Sequence, residues 1–503
     1  MKFKLFITIT VMAITVVVSG CKTSINASQS ITDYDFSVVN NLSEPSLQSV
    51  KAINTIRYNI KVPHSPELEK HSWLSKVRLV AETNLIGSEL RKIADNKSGK
   101  YPFDEEILSM RTFNKILPYT HVLIAVVENG VNQPAFRYYG HGNVFGFDEK
   151  YFHPASLVKP ATIIGALIKM KSYGFSSHSI VRFLDEEGYY GDKLLYLIRP
   201  VIMHSCNLSY NRLVRLAGFD FINEKVLTSR HGLDNYEIVH KYGSKIKNIK
   251  ESPYMIFGMD EPVVRFRPKE GTYKPSCKLN CASYFELMEV MRRIHLHKEL
   301  PSEERFNVHD GDIEVMVNYM GLTRKYIKKA PSEVFGEETE VYNNVGRVPG
   351  IMAADNSFIV GKKSRRKVFI IVKVPFFESI PRESYITSDW INYIAEVSLK
   401  KVLNITQKQG PPIQHDFAPG IQVELFSDQD KTGLKAVISG KNGSFDLVRV
   451  WIDRQFVGIF NGSGKISAEL GSVKSGTHVI TFKGYLKDKP TFFITRMIRP
   501  IAE

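Results

Sequence analysis

Ser156 and Lys159 are the residues whose types and spacing point most directly to chemistry. They lie in His153-Pro154-Ala155-Ser156-Leu157-Val158-Lys159-Pro160, and an apolar run from Ala161 to Met170 follows at once. On a helix, residues i and i+3 share a face, so the Lys159 amine can reach the Ser156 hydroxyl. Burial disfavours the charged form of an amine. A neutral amine can take the proton that a serine must lose as it attacks a carbonyl. Ser-x-x-Lys also occurs at Ser19/Lys22, Ser244/Lys247, Ser364/Lys367 and Ser398/Lys401. Ser156 differs in following strand-like sequence and in opening an apolar helix with Pro160 in its first turn, where proline is tolerated. A serine N-cap beside a snorkelling lysine fits the same residues.

A serine nucleophile also needs a proton path to the leaving group and donors for the developing oxyanion. Ser205-Cys206-Asn207 follows Met203-His204 and precedes a helical stretch, Ser209 to Ala217. Its hydroxyl and carboxamide can face one cleft. Ser205 would relay the proton, and Asn207 would hold a substrate amide and the Lys159 side chain. Taken alone, the pattern also suits a helix cap. Further on, Asn343-Asn344-Val345-Gly346-Arg347-Val348-Pro349-Gly350 reads as a strand whose glycine permits close backbone approach. The backbone N–H of Arg347, with that of Ser156, could form an oxyanion hole. A strand end with a glycine bulge is the other reading.

These groups must be held by a scaffold. Ser65 to Asn96 carries apolar residues at helical spacing and predicts one or two helices. His121 to Val127 is a buried strand, Asn129-Gly130 a turn, and Ala135 to Tyr139 the return strand. Helical sequence is read from Ile180 into Val201. Gly218 to Ser276 is irregular, with short strands at Tyr254–Phe257 and Val263–Phe266, and a long insert of this kind often covers a cleft. Helices are expected at Cys281–Leu296 and Asp312–Lys328. Strands follow at Glu340–Val345, Asn356–Val360 and Val368–Val374, with Lys362, Lys363, Arg365 and Arg366 in a solvated turn, and a helix at Trp390–Leu403 closes the unit. An antiparallel sheet with helices grouped against it is α+β. The domain is placed at 61–409, its core at about 115–405. After the Gly410-Pro411-Pro412 break, evenly spaced short strands predict a β-sandwich over 415–503. Its Val448-Arg-Val-Trp-Ile-Asp453 and Ser475-Gly-Thr-His-Val-Ile480 resemble a bacterial immunoglobulin-like module.

The N-terminus reads as targeting sequence. Lys2 and Lys4 precede an apolar run, Leu5 to Val18, too short for a comfortable membrane span. Val18-Ser19-Gly20-Cys21 resembles the lipobox of bacterial lipoproteins. That resemblance implies removal of residues 1–20, lipidation of Cys21, a tether over 21–60, and residence in the cell envelope, on the periplasmic face of the outer membrane in a Gram-negative cell. A plain secretory signal or an anchor helix stays open. Of the remaining cysteines, Cys277 and Cys281 could pair across one turn, which leaves Cys206 as a free thiol. No Cys/His grouping has zinc spacing, so neither metal nor cofactor is expected. The net charge is +15 and the pI about 9.3. The absence of an Arg-rich stripe with interleaved aromatics argues against nucleic acid. The charge suits an anionic envelope polymer or lipid headgroups, or simple solubility.

Ser156/Lys159, Ser205/Asn207 and Asn344-Val345-Gly346, in this order, resemble the three motifs of the penicillin-binding protein and serine β-lactamase superfamily, nearest to class A β-lactamases. The resemblance covers roughly residues 115–405. It implies catalysis by Ser156, Lys159 and Ser205, and substrate contacts from Asn207, Asn344, Gly346 and Arg347. The substrate would be a β-lactam, a cell-wall peptide or a related amide or ester, with no cofactor. Three departures matter. Cys206 replaces an aspartate. Asn344 and Val345 replace a lysine and a hydroxyl residue; a literal Lys431-Thr432-Gly433 lies in the appended β region. No Glu-x-x-Leu-Asn string supplies a deacylating glutamate: Glu303 to Asn307 lacks the leucine, and Glu237 and Glu251 have no motif around them. Acylation is thus better supported than deacylation, and a non-hydrolytic sensor or wall-binding lipoprotein is the alternative.

Overall fold

The alternation of apolar side chains along two strands accounts for the layering of the molecule. In β2 (His121–Glu128), Val122, Ile124 and Val126 belong to one buried cluster and Leu123 and Ala125 to another. In β10 (Lys367–Pro375), Val368, Ile370 and Val372 part in the same way from Phe369 and Ile371. Successive side chains of a strand point to opposite faces, so these strands are covered on both sides and read as unbroken apolar runs. The computed structural model describes residues 76–80, 85–95 and, with interruptions, 116–498; the longest interruptions are 145–153, 243–253, 376–382 and 409–419. The apolar leader, Cys21, the tether, His153, Glu251 and the Pro411-Pro412 break lie outside the described residues.

One face of the sheet is covered by α1 (Leu85–Asp95) and the long α8 (Glu383–Lys408). The other face carries α2 (Lys159–Ser172), α3 (Leu195–His204), α4 (Asn207–Ala217), α5 (Tyr284–His295) and α6 (Asp310–Gly321). The short α7 (Ala330–Phe335) joins the α8 side. α2 is the innermost helix: every residue from Lys159 to Ile168 is buried. A helix apolar on all sides is what a position between other helices requires.

β8 (Thr339–Val348) pairs antiparallel with β9 (Met352–Gly361), β9 with β10, and β10 with β2, which pairs with β3 (Ala135–His141). β8 is the terminal strand of this side of the sheet. Its register is held from below by Asp355, which is fully buried and accepts from Tyr326 N at 2.8 Å, Ile327 N at 3.0 Å, Ser357 Oγ at 2.7 Å and Asn343 Nδ2 at 3.1 Å. The architecture is α+β.

Three stretches differ from the sequence expectation. The helix expected at Asp312–Lys328 ends at Gly321, and beyond it Tyr326 and Ile327 turn their amides to Asp355. Lys76–Val80 is a strand, β1, where helix was expected; it pairs in parallel with β3. Ile180–Asp185 and Gly188–Lys193 form a hairpin, β4 and β5, and the helix begins only at Leu195. The partner that draws β4 into strand conformation is β6 (Tyr254–Phe257), which pairs in turn with β7 (Val264–Phe266). Pairing across some seventy residues leaves no local trace in a helical count.

The C-terminal region is a two-layer sandwich. β11 (Gly420–Asp428), β12 (Lys431–Ser439) and β15 (Lys465–Val473) form one sheet. β13 (Leu447–Ile452), β14 (Gln455–Asn461), β16 (His478–Leu486) and β17 (Lys489–Ile498) form the other. Leu434, Ala436, Ile466 and Ala468 of the first meet Val448, Val450, Ile480 and Phe482 of the second in one core. The second sheet does not stop there: β17 pairs with β1, which joins it to the central sheet. Lys431-Thr432-Gly433 opens β12 in this sandwich, far along the chain from the α2 site.

A buried charge network holds α5. Glu289 accepts from Arg292 and Arg293 at 2.8 Å, and Arg292 also reaches Glu304 at 2.8 Å. Removing one charge from such a network strands the others in a low-dielectric interior. Glu289→Gln is expected to lower the unfolding free energy by about 3–5 kcal/mol in urea titration. Glu314→Gln, in an exposed pair with Lys298, is expected to leave it nearly unchanged.

Candidate active site

Ser156 lies in a 3-10 turn, Ala155–Val158, that leads into α2 at Lys159. In a 3-10 turn side chains at i and i+3 eclipse one another, so the serine and the lysine stand on one face. From Pro154 to Ile168 Ser156 is the one residue that is not buried. The residue before it, Ala155, has a left-handed φ of 50°. That conformation is strained for a residue with a side chain and persists only where its surroundings enforce it.

Lys159 is 1% exposed. Its Nζ donates to Ser205 O at 2.5 Å, Ser205 Oγ at 2.9 Å and Asn207 Oδ1 at 2.8 Å. Ser205 ends α3 in a left-handed conformation, φ 53°, and Asn207 begins α4, so the α3–α4 corner wraps the amine. The rings of Tyr210 and Tyr242 lie 5.7 and 5.6 Å from Nζ. Burial pulls the Lys159 pKa down to about 7. Near neutral pH a large fraction of the amine is therefore unprotonated and able to act as a base. Among the described residues no hydrogen bond joins Ser156 Oγ to Lys159 Nζ. The sequence expectation of a direct contact gives way to an amine turned toward the α3–α4 corner. Three acceptors suit the three N–H bonds of an ammonium. Loss of one proton frees a lone pair that can turn to Ser156.

The third predicted cluster meets the same turn. Asn344 Nδ2 donates to Ser156 O at 3.1 Å. The Asn344 side chain is thus tied to the main chain of the nucleophile rather than held out toward substrate, the role expected for it. Gly346, two residues on, faces the same way: a Cβ there would meet Leu157 Cγ at 2.9 Å and Pro154 O at 3.0 Å. Only glycine lets the β8 edge approach so closely. Arg347 lies on the opposite face of the strand and is exposed. Around the buried amine, Ser156 and Ser205 are partly exposed and Asn207 is exposed, so hydroxyl, hydroxyl and carboxamide border one accessible site.

Sequence reasoning missed what lies behind this border. Asn211 brackets Tyr242, donating to its O at 2.8 Å and accepting from its N at 2.9 Å. Asn280 accepts from Val239 N and His240 N at 2.8 Å and donates to Tyr210 Oη at 3.2 Å. Asn223 holds Ile238 in both directions. Tyr242 Oη donates to Ala155 O at 2.6 Å. Tyr210 and Asn211 stand three and four residues beyond Asn207, so helical spacing could have flagged them. Nothing local marks Tyr242 or Asn280.

Glu237, one of two glutamates considered for deacylation, is buried and engaged: its carboxylate accepts from Tyr273 Oη at 2.8 Å and Cys277 N at 3.0 Å. Beside it, Cys277 and Cys281 form a disulfide. Their sulfurs and Glu237 lie close enough together to hold a metal ion, but the disulfide occupies both sulfurs. Cys206, expected to be a free thiol, is disulfide-bonded.

No protein-family model matches the chain, and no curated protein sequence matches it. Solved structures do. The chain is similar to a class A β-lactamase from Bacteroides cellulosilyticus DSM 14838, at 15% identity over 64% of this chain and 100% of that one, TM-score 0.40. It is similar to PBP-A at 12% identity over 65% of this chain and 97% of that one, TM-score 0.39. A β-lactamase from Sphaerobacter thermophilus DSM 20745 is similar at 14% identity over 64% and 99%, TM-score 0.38. Likeness at this level decides neither substrate nor catalytic residues.

The position of the Lys159 pKa makes two pH dependences. Any acylation of Ser156 that uses the free amine is expected to rise about tenfold per unit below pH 7 and to flatten above it, in stopped-flow or labelling rates taken across pH. The unfolded chain binds the extra proton between about 7 and the ordinary 10.5. The Lys159 contribution to unfolding free energy therefore rises with pH through that window, and the rise should vanish in Lys159→Met.

Proposed function

We propose that the chain is a serine hydrolase that works through an acyl-enzyme on a β-lactam, a cell-wall peptide or a related amide or ester. The observation that carries this reading is the buried Lys159 amine, near neutrality in pKa, one turn from the single accessible residue of its segment, Ser156. In the proposed step, Ser156 Oγ bonds to the substrate carbonyl carbon while its proton passes to Lys159 Nζ. The proton then moves through Ser205 Oγ to the leaving group as the old acyl bond breaks, which leaves an ester on Ser156. The backbone N–H groups of Ser156 and Arg347 would receive the oxyanion. Asn207, accessible and bonded to Lys159, would orient a substrate amide. No cofactor enters this chemistry.

One observation favours a second reading, a sensor or wall-binding protein that acylates and stops. Among the described residues of the long insert, the one that stands over Lys159 is Tyr242, whose phenol is pushed up to about 12 by burial. A neutral phenol does not activate water as a carboxylate would. The order of the motifs and the apolar leader support placing the protein in the cell envelope, with the basic surface toward anionic polymers. Two sheets that hold seven strands in all and share one core support reading 415–503 as an immunoglobulin-like module.

Intact-mass analysis with a fluorescent penicillin tests the reading. One label per chain is expected, lost in Ser156→Ala and slowed at least about a hundredfold in Lys159→Ala. Release within minutes indicates hydrolysis, and retention for hours indicates the sensor. Equal labelling of Ser156→Ala would refute the assignment.

A further inference from the structure

Among the described residues of the long insert, Tyr242 reaches both halves of the site. Its Oη donates to Ala155 O at 2.6 Å, on the residue whose left-handed φ sets up the Ser156 turn. Its ring stands 5.6 Å from Lys159 Nζ and packs on Tyr210, whose own ring stands 5.7 Å from the same nitrogen, with 5.1 Å between ring centroids. The main chain at Tyr242 is clamped in both directions by Asn211, which is 5% exposed. Tyr210 is fully buried and fixed by Asn280. Two jobs thus fall on one side chain: a brace on a strained turn, and a wall that keeps water from an amine.

We propose that Tyr242 is a positioning residue for acylation, its hydroxyl holding the Ala155 carbonyl so that Ser156 stays presented, and its ring completing with Tyr210 a dry aromatic box around Lys159. The proposal rests on the acyl-transfer reading of Ser156. The titratable groups facing Lys159 among the described residues are the phenols of Tyr210 and Tyr242; Ser205, Asn207 and the main chain supply neutral acceptors. His240 faces Tyr242 from its outer side, ring centroids 6.0 Å apart. The ring has opposite effects on the amine. Its quadrupole favours the ammonium, whereas its bulk excludes water and favours the free amine. Burial is the cause of the depressed Lys159 pKa, and the Tyr242 ring is part of what buries the amine. Taking the ring away should move the amine back toward its ordinary value.

The test separates the two jobs. Tyr242→Phe keeps the ring and drops the hydroxyl. It is expected to slow penicillin labelling of Ser156 about tenfold at every pH, the scale of one lost hydrogen bond, with the midpoint of the pH–rate curve unmoved. Tyr242→Leu opens the box and is expected to raise that midpoint by about one unit or more. The Lys159 titration is also read without substrate, by NMR of protein carrying ε-13C-lysine, with the resonance assigned by Lys159→Arg. The same upward move is expected there for Tyr242→Leu and none for Tyr242→Phe. A purely structural role would lower thermal stability without shifting either midpoint. Full-rate labelling in Tyr242→Phe, or an unmoved Lys159 titration in folded Tyr242→Leu, overturns the proposal. A wild-type chain that takes no label removes the acyl-transfer reading, while the NMR titration still decides whether Tyr242 walls the amine.

Discussion

An amine carried out of water with no counter-charge among the described residues is the constraint on which the rest of the site depends. Lys159 has neutral acceptors around it, two from Ser205 and one from Asn207, and two aromatic rings at its flank. Neutral acceptors keep the nitrogen hydrogen-bonded without restoring the preference for the ammonium that a carboxylate would give. The consequence is a group that changes protonation state near pH 7, which a base for serine attack requires. The arrangement needs an apolar helix to carry the lysine inward, and a sharp α3–α4 corner to bring a carbonyl, a hydroxyl and a carboxamide to one point. α2 and the left-handed Ser205 meet those two needs.

The nucleophile is held from the other side by the sheet. β8 is a terminal strand, and its far end lies against the Ser156 turn because Gly346 leaves room for Leu157 and the Pro154 carbonyl. Asn344 ties the Ser156 carbonyl, and Tyr242 ties that of Ala155. A turn gripped at consecutive carbonyls can hold a left-handed alanine that would relax if free. Beneath β8, the buried Asp355 gathers Asn343, Ser357 and two backbone amides, which locks the register on which Asn344 and Gly346 depend. Strand register decides which side chains reach the turn, since a slip of one residue would turn Asn344 away.

Much of this was legible in the residues themselves. Ser156, Lys159, Ser205, Asn207, Asn344 and Gly346 come together as their order implied. β2 and β10 announced themselves as unbroken apolar runs because both their faces are covered. What escaped was non-local. The β4–β5 hairpin looks helical until β6 supplies its pairing partner, and β1 takes strand form between β3 and β17. Tyr242 reaches Ala155 across 87 positions, and Asn280 reaches Tyr210 across 70. No periodicity encodes such contacts. Asn344 was expected to serve substrate because of its place in a motif. Its actual contact, a carbonyl 188 positions earlier, follows from how close the glycine lets the strand approach.

The central claim is that the Lys159 amine serves the Ser156 oxygen once a reacting group is in place. A crystal structure with a boronic acid, grown above pH 7, tests it most directly, because boron adopts the tetrahedral form of an acylation intermediate. The account predicts a bond from Ser156 Oγ to boron, with Lys159 Nζ swung from its three acceptors to within hydrogen-bonding distance of that oxygen. An unmodified Ser156, or a modified one with Lys159 still bound to Ser205 and Asn207 alone, would contradict it.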